Sequence, residues 1–292
     1  MRLINTIKVN NELGEGVVWD HVNAKVWWTD IQSSKLYRYD PESTELEQWN
    51  TPERLCCLTP VKDKDYLLCA FESGFAFYTP QSGKLEWIHK LETDNPGSRF
   101  NDGGTDREGR FWAGTMVEDN ALANDKGSLY CLHHDLSISK TIGGLDIPNS
   151  LCWSPDGTLM YHTDTPSRLI KEYDFHNASG TFGNEKVFTK ANQGCFPDGS
   201  TVDAQGYVWN AQWGSSTVAR YSPKGERVLL VQIPTSQPTC VAFGGKHMNL
   251  MFVTSAWQDF DKLKKESDPN AGCMFVYETD HQGITESQFV EK

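Results

Sequence analysis

Short apolar runs alternate with Gly-, Asp- and Ser-rich breaks along the whole chain. EGVVWD is followed by KVWWTD, LCCLTP by YLLCA, and NSLCWS by LMYHTD. Runs this short, rich in Val, Trp, Tyr and Leu and joined by DG, SG, QG and EG, predict β-strands linked by tight turns. A sustained helical period is missing; residues 260–266 are the one segment expected to form a short helix.

The strand pattern repeats. A first strand, a tight turn and a stronger second strand read as EGVVWDHVNAKVWWTD from residue 15 and LCCLTPVKDKDYLLCA from residue 55. They recur as NDGGTDREGRFWAGT from 101, NSLCWSPDGTLMYHTD from 149, DGSTVDAQGYVWNAQ from 198 and PTCVAFGGKHMNLMFVTS from 238. A third strand follows most copies, as in KLYRYDP and GSLYCL. Units of ~40–50 residues with four short strands are propeller blades. The chain is therefore expected to be all-β, one domain over residues 1–292, a six-bladed β-propeller of four-stranded antiparallel blades around a central channel. Closing such a ring calls for a latch, and the weakly alternating residues 3–9 are expected to supply the outer strand of blade 6.

The repeat also works as a ruler. Its first position carries Glu15, Leu55, Asn101, Asn149, Asp198 and Pro238. First strands line the channel of a propeller, so these residues are expected to form one ring at one height. Each is an ordinary turn residue taken alone; their coincidence at one repeat position points to chemistry. Glu15, Asn149 and Asp198 each sit beside Gly or Pro in a turn entering the strand, and are the expected metal ligands. Carboxylates and amide oxygens without Cys or His suit a hard divalent ion, Ca²⁺, Mg²⁺ or Mn²⁺, with Zn²⁺ and Fe²⁺ also compatible. Three protein ligands leave room for water and substrate, the arrangement of a catalytic site. DREG, SPDG and DAQG look calcium-like, but none has EF-hand spacing, and they are read as hairpin turns.

Strand polarity places the loop between second and third strands on the same face as the ring. Two such loops are long, 116–126 and 257–271, and would overhang it. Glu118, Asp119, Lys126 and Trp257 thereby become candidates for substrate contacts. Arg99, two residues before Asn101, can offer its fork of donors at the channel mouth. Trp213 or Trp257 could pack against a ligand face.

Charge narrows the partners. The chain has 27 Lys and Arg against 39 Asp and Glu, a net charge of −12, and no basic cluster. Nucleic acid and anionic membrane are poor partners for such a surface, and no protein partner is evident. No apolar run approaches the roughly 20 residues that span a bilayer, and the first residues do not read as a signal peptide. The eight Cys lie in apolar runs with no CxxC pair. They are expected to be reduced, mostly buried thiols of a cytoplasmic protein. GxSxG and HExxH motifs are absent.

Taken jointly, LGEGVVWD, SRFNDGGTDREGRFWAGTM, IPNSLCWSPDGTLMYHTD, FPDGSTVDAQGYVWNA and PTCVAFGG resemble the gluconolactonase/regucalcin family. This is also called the senescence marker protein family of sugar-lactone lactonases. The resemblance implies a six-bladed propeller with one divalent metal, its ligands falling on Glu15 in GEG, Asn149 in the PN turn and Asp198 in PDG. It places the substrate-binding Arg and Asn of the RxND motif on Arg99 and Asn101. The acidic lid residue after GTM falls on Asp119, with Glu118 adjacent, in a VEDN sequence rather than paired Glu. The activity implied is hydrolysis of an aldonolactone to its aldonic acid, in bacterial-type sugar oxidation. Water would be activated by Asp198 as general base or by the metal. Two alternatives stand beside it: a calcium-binding regulatory propeller without turnover, and a promiscuous esterase or organophosphate hydrolase.

Overall fold

The computed structural model describes residues 1–93 and 95–292. Strand β1 (Arg2–Ile7) comes first. Blade 1 is β2–β5 (Gly14–Asp20, Lys25–Asp30, Lys35–Tyr39, Leu46–Asn50) and blade 2 is β6–β9 (Leu55–Pro60, Leu67–Phe71, Gly74–Thr79, Lys84–Lys90). Blade 3 is β10–β13 (Ser98–Thr105, Phe111–Val117, Gly127–Leu132, Ile138–Leu145) and blade 4 is β14–β17 (Pro148–Trp153, Leu159–Asp164, Leu169–His176, Thr181–Lys190). Blade 5 is β18–β21 (Phe196–Val202, Val208–Trp213, Thr217–Tyr221, Arg227–Gln232). Blade 6 takes β22–β24 (Pro238–Gly244, Leu250–Ser255, Met274–Glu278), and β1 joins it outside β24. Every strand pairing within the blades is antiparallel, and the expected six-bladed propeller and its latch are both observed.

The first strand of each blade packs on those of its two neighbours, β14 on β18, β22 on β2, β6 on β10. Inner strands are buried almost throughout, while outer strands such as β9 and β13 are largely exposed. Between blades lie apolar layers with large aromatics, including Trp28, Trp112, Trp153 and Trp209. The eight thiols are free, and all but Cys195 are buried. The predicted helix appears as α1 (Lys262–Ser267), capped by Asp261, whose Oδ1 accepts the Lys264 amide at 2.7 Å. No helix among the described residues is long and apolar enough to cross a membrane.

DREG, SPDG and DAQG are hairpin turns whose aspartates bond within the turn and the strands beside it. Asp106 accepts the amides of Glu108 and Arg110, Arg110 Nε and Trp112 Nε1. Asp203 does the same for Gln205, Tyr207, Trp209 and Arg220. Asp156 accepts from Ser154 and Thr158.

The last residues cross the face opposite the lids. Gly283 bonds to Met248 of blade 6 and Gln282 to Ala204 of blade 5. Glu286 meets Thr201 and Arg107 near the axis. Phe289 then pairs with Pro60 and Lys62 and buries its ring completely beside Val61 and Phe77.

Candidate metal and substrate site

A bulge at the start of the inner strands shapes the site. In β2, Glu15 pairs with Thr29 and the next partners are Val18 and Trp27. The same slip follows Asn149 in β14, Phe100 in β10, Pro197 in β18 and Pro238 in β22. Extra residues in one strand bend it and re-aim its side chains. The expected single ring is therefore two adjacent positions. Glu15 and Asn149 occupy the last paired position, whereas Asn101 and Asp198 sit one residue further on, inside the bulge. Sequence spacing places all four at one level because a bulge leaves no mark in the hydrophobic pattern. After Glu15 and Asn149 the chain turns left-handed, at Gly16 (φ 59°) and Ser150 (φ 60°). Gly16 does so without strain.

Bulge side chains also stitch three of the blades to the next. Asn101 Nδ2 donates to Pro148 O at 3.0 Å, Ser150 Oγ to Asp198 O at 2.6 Å, and Thr239 Oγ1 to Gly14 O. At the same position in blade 5 the side chain of Asp198 makes no such bond and is left to the channel. Its backbone is clamped instead, by Ser150 and by Asn210 Nδ2 at 2.9 Å.

The result is a cleft of about 360 Å³ on the lid face. Its polar floor holds Glu15, Arg99, Asn101, Asn149 and Asp198. Leu13, Met116, Ile147, Phe196 and Trp213 form an apolar wall, and Gln258 and Asp259 reach in from the blade 6 loop. Thr165 steers Asn149 by accepting its Nδ2 at 2.9 Å, and in turn donates to Pro197 O. That fixes Asn149 Oδ1 toward Asn101, whose Nδ2 donates to it at 3.0 Å. Arg99 Nη1 donates to Asn101 Oδ1 at 2.8 Å and to Phe100 O, and Arg99 Nε donates to Glu118 at 2.9 Å. Its Nη2 has no partner among the described residues.

Charge is unbalanced here. Burial, then the nearby negative charges of Glu15 and Asp102, raises the pKa of Asp198 well above the usual carboxylate range. Burial and Asp102 raise that of Glu15 likewise, with Arg99 and the Gly16 amide opposing. Asp102, one level deeper, is pushed up to about 6 by burial. Arg99 is the cation facing these carboxylates, and it is already paired with Glu118. Among the described residues no three His, Cys, Asp or Glu side chains form a ligand cluster, so an ion here would rest on two carboxylates and amide oxygen. Hard oxygen donors with surplus negative charge fit a divalent cation.

The other sequence candidates lie back from the cleft. Glu118 stands behind Arg99 with both oxygens engaged, Oε1 by Arg99 and Gln32 and Oε2 by Arg54. Burial opposes its ionisation, but Arg99 and Arg54 outweigh that and hold its pKa near about 2. Asp119 is exposed at the lid turn, accepting the Ala121 amide. Lys126 pairs with Asp146 at the surface. Trp257 donates to Asn10 O and packs under Lys265, leaving its neighbours Gln258 and Asp259 at the cleft. Asp102, Thr165 and Arg54 escaped the sequence reading. Asp102 had a signal, being adjacent to Asn101 in RFNDGG; the other two act through contacts that only the folded chain makes, Thr165 with Asn149 and Pro197, Arg54 with Glu72, Gln32 and Glu118.

The fold and cleft define a propeller with an acidic, oxygen-lined site on its axis. Residues 13–257 match the SMP-30/Gluconolactonase/LRE-like region, and the chain belongs to that family. It is 35% identical to L-arabinolactonase of Azospirillum brasilense, over 96% of this chain and 92% of that protein. It is 31% identical to 6-deoxy-6-sulfogluconolactonase of Pseudomonas putida, over 95% and 94% respectively. The crystal structure of a calcium-binding protein, regucalcin, from Agrobacterium tumefaciens superposes with a TM-score of 0.92 at 29% identity, covering 98% of this chain and 97% of that one.

Proposed function

We propose that the protein is a metal-dependent lactonase that opens a sugar lactone to its aldonic acid. The observation that carries this reading is the buried pair Glu15 and Asp198 beside Asn149, unbalanced in charge, on the floor of a substrate-sized cleft. Relatives that span nearly the whole chain bear the names of lactonases of arabinonolactone and of a sulfogluconolactone.

Glu15, Asn149 and Asp198 would hold the ion. When bound, a divalent cation supplies Lewis-acid polarisation of the lactone carbonyl. Arg99 Nη2 faces the cleft as an uncommitted donor, suited to hold an oxygen of the bound lactone in ground state and transition state alike. Asp198 takes a proton from the attacking water. The ring C–O bond then breaks, and the departing oxygen takes that proton back to become a hydroxyl. The new acid ionises, so turnover releases protons. The apolar wall of Phe196 and Trp213 suits the C–H face of a sugar ring. A purely ion-binding role leaves a cleft of about 360 Å³ without a use.

The test is acid release from gluconolactone, galactonolactone, xylonolactone and arabinonolactone, followed with a pH indicator, with and without chelator, after subtracting spontaneous opening. Elemental analysis of protein purified without added metal accompanies it. We expect chelator-sensitive acceleration on at least one lactone, and loss of both metal and turnover in Asp198→Ala. No acceleration on any of the four, or full activity in Asp198→Ala, overturns the reading.

A further inference from the structure

We propose that Arg54, at the entry to blade 2, is a positioning residue for the cleft, acting through Glu118 to hold Arg99 and close the blade 3 lid. This rests on the reading of Arg99 as a substrate-binding residue.

Three blades converge on one carboxylate. Glu118 begins the lid of blade 3, just past β11. It accepts Gln32 Nε2 of blade 1 at 2.9 Å, Arg54 Nη1 of blade 2 at 2.5 Å and Arg99 Nε of its own blade at 2.9 Å. Arg54 is itself fixed. Its Nε and Nη2 form a fork with Glu72 at 2.9 and 2.8 Å, and its Nη1 also donates to Gln32 Oε1 at 3.1 Å. A guanidinium held on both sides in this way is a rigid strut, of which a lysine ammonium keeps the charge but not the fork.

Bonds on its own side of the ring also hold the lid. The amides of Glu118 and Asp119 donate to Gly97 O, and Asn95 Oδ1 accepts the Asp125 amide. Gln32 and Arg54 tie it to blades 1 and 2. Without Arg54, one oxygen of Glu118 loses its cation, and the carboxylate can swing from Arg99. Arg99 would keep its bonds to Phe100 O and Asn101 but lose the partner that sets the plane of its guanidinium. Its Nη2 would then no longer face the cleft in one orientation.

Arg54→Gln, Arg54→Lys, Glu118→Gln and the double variant Arg54→Gln/Glu118→Gln test this in the full-length, metal-loaded protein. Hydrogen exchange of the Glu118 and Asp119 amides should quicken in Arg54→Gln, with partial recovery in Arg54→Lys. KM for the best lactone should rise about tenfold while kcat stays within about threefold. Residues acting through one another are non-additive, so the double variant should be no worse than Glu118→Gln alone. Unchanged exchange and KM in Arg54→Gln, or additive effects in the double variant, overturns the proposal. If the wild-type protein opens no lactone, the proposed function falls, while the exchange measurement still decides whether Arg54 holds the lid.

Discussion

His162 is a buried side chain that takes no part in the proposed chemistry. It is only 2% exposed, and its Nε2 finds no partner. Burial, and then Lys171 on the adjacent strand, lowers its pKa to about 4; Glu185 opposes weakly. The unfolded chain protonates this ring near pH 6.5 and the folded one does not. Its stabilising effect is therefore complete above about pH 6.5 and is lost as pH falls toward 4. Between pH 7 and 5 the unfolding free energy should drop by about 2 kcal/mol from this residue alone. Urea titrations of wild type and His162→Leu at the two pH values check this, the variant showing the shallower dependence. Single residues also mark where the sequence was legible. Asp198 stands out in Pro-Asp-Gly because a strand entry repeats around it. Arg54 carries no local mark, since everything it does depends on Gln32, Glu72 and Glu118 from other parts of the chain.

Among the elements, the inner strands carry the site, and their bulges decide which way each donor points. Gly199 follows Asp198 in β18, and a Cβ there would meet Cys240 Sγ at 2.5 Å and Cys240 Cα at 2.8 Å in blade 6. Gly199→Ala should push β18 off β22, cost about 1–3 kcal/mol by overpacking, and weaken metal binding. Gly183 in β17 has nothing within 4 Å of the same position. Gly183→Ala should stay within about 0.5 kcal/mol of wild type. Denaturation curves and metal titration of the pair separate a local wedge from a general intolerance of alanine. The strands themselves were plain from alternation and turn residues. The bulges were not, because two successive residues in GEG and in PDG look alike until each is paired with its neighbour strand. This is why Glu15 and Asp198 read as equivalent and are one position apart.

At the scale of the molecule, the six-fold repeat and the latch were visible in the sequence, since each blade repeats one order of strands and turns. The C-terminal strap was not, because residues 279–292 have no counterpart in other blades and are ordered only by what they cross. The strap closes the narrow cavity of about 70 Å³ beneath the site, whose lining Glu286 and Ser287 share with Asp102, Cys152 and Cys240. Phe289→Ala would empty a fully buried ring site and should cost about 3–5 kcal/mol, seen as a fall in the thermal midpoint. Because the strap also floors the channel, the variant should lose metal to chelator faster than wild type.

The pairing of β1 with β24 has a consequence for how the protein is made. Arg2 and Glu278 are bonded across 276 residues of sequence. At synthesis rates of roughly 5–20 residues per second, β1 leaves the ribosome tens of seconds before its partner exists. Through that interval blade 6 is incomplete, and the nascent chain is a growing row of blades with one edge still open at each end. Glu15 and Asp198 come from blades on either side of the last one to arrive. A cation offered during synthesis would thus meet a finished site only at the end, when β1, made before every blade, is seated after them.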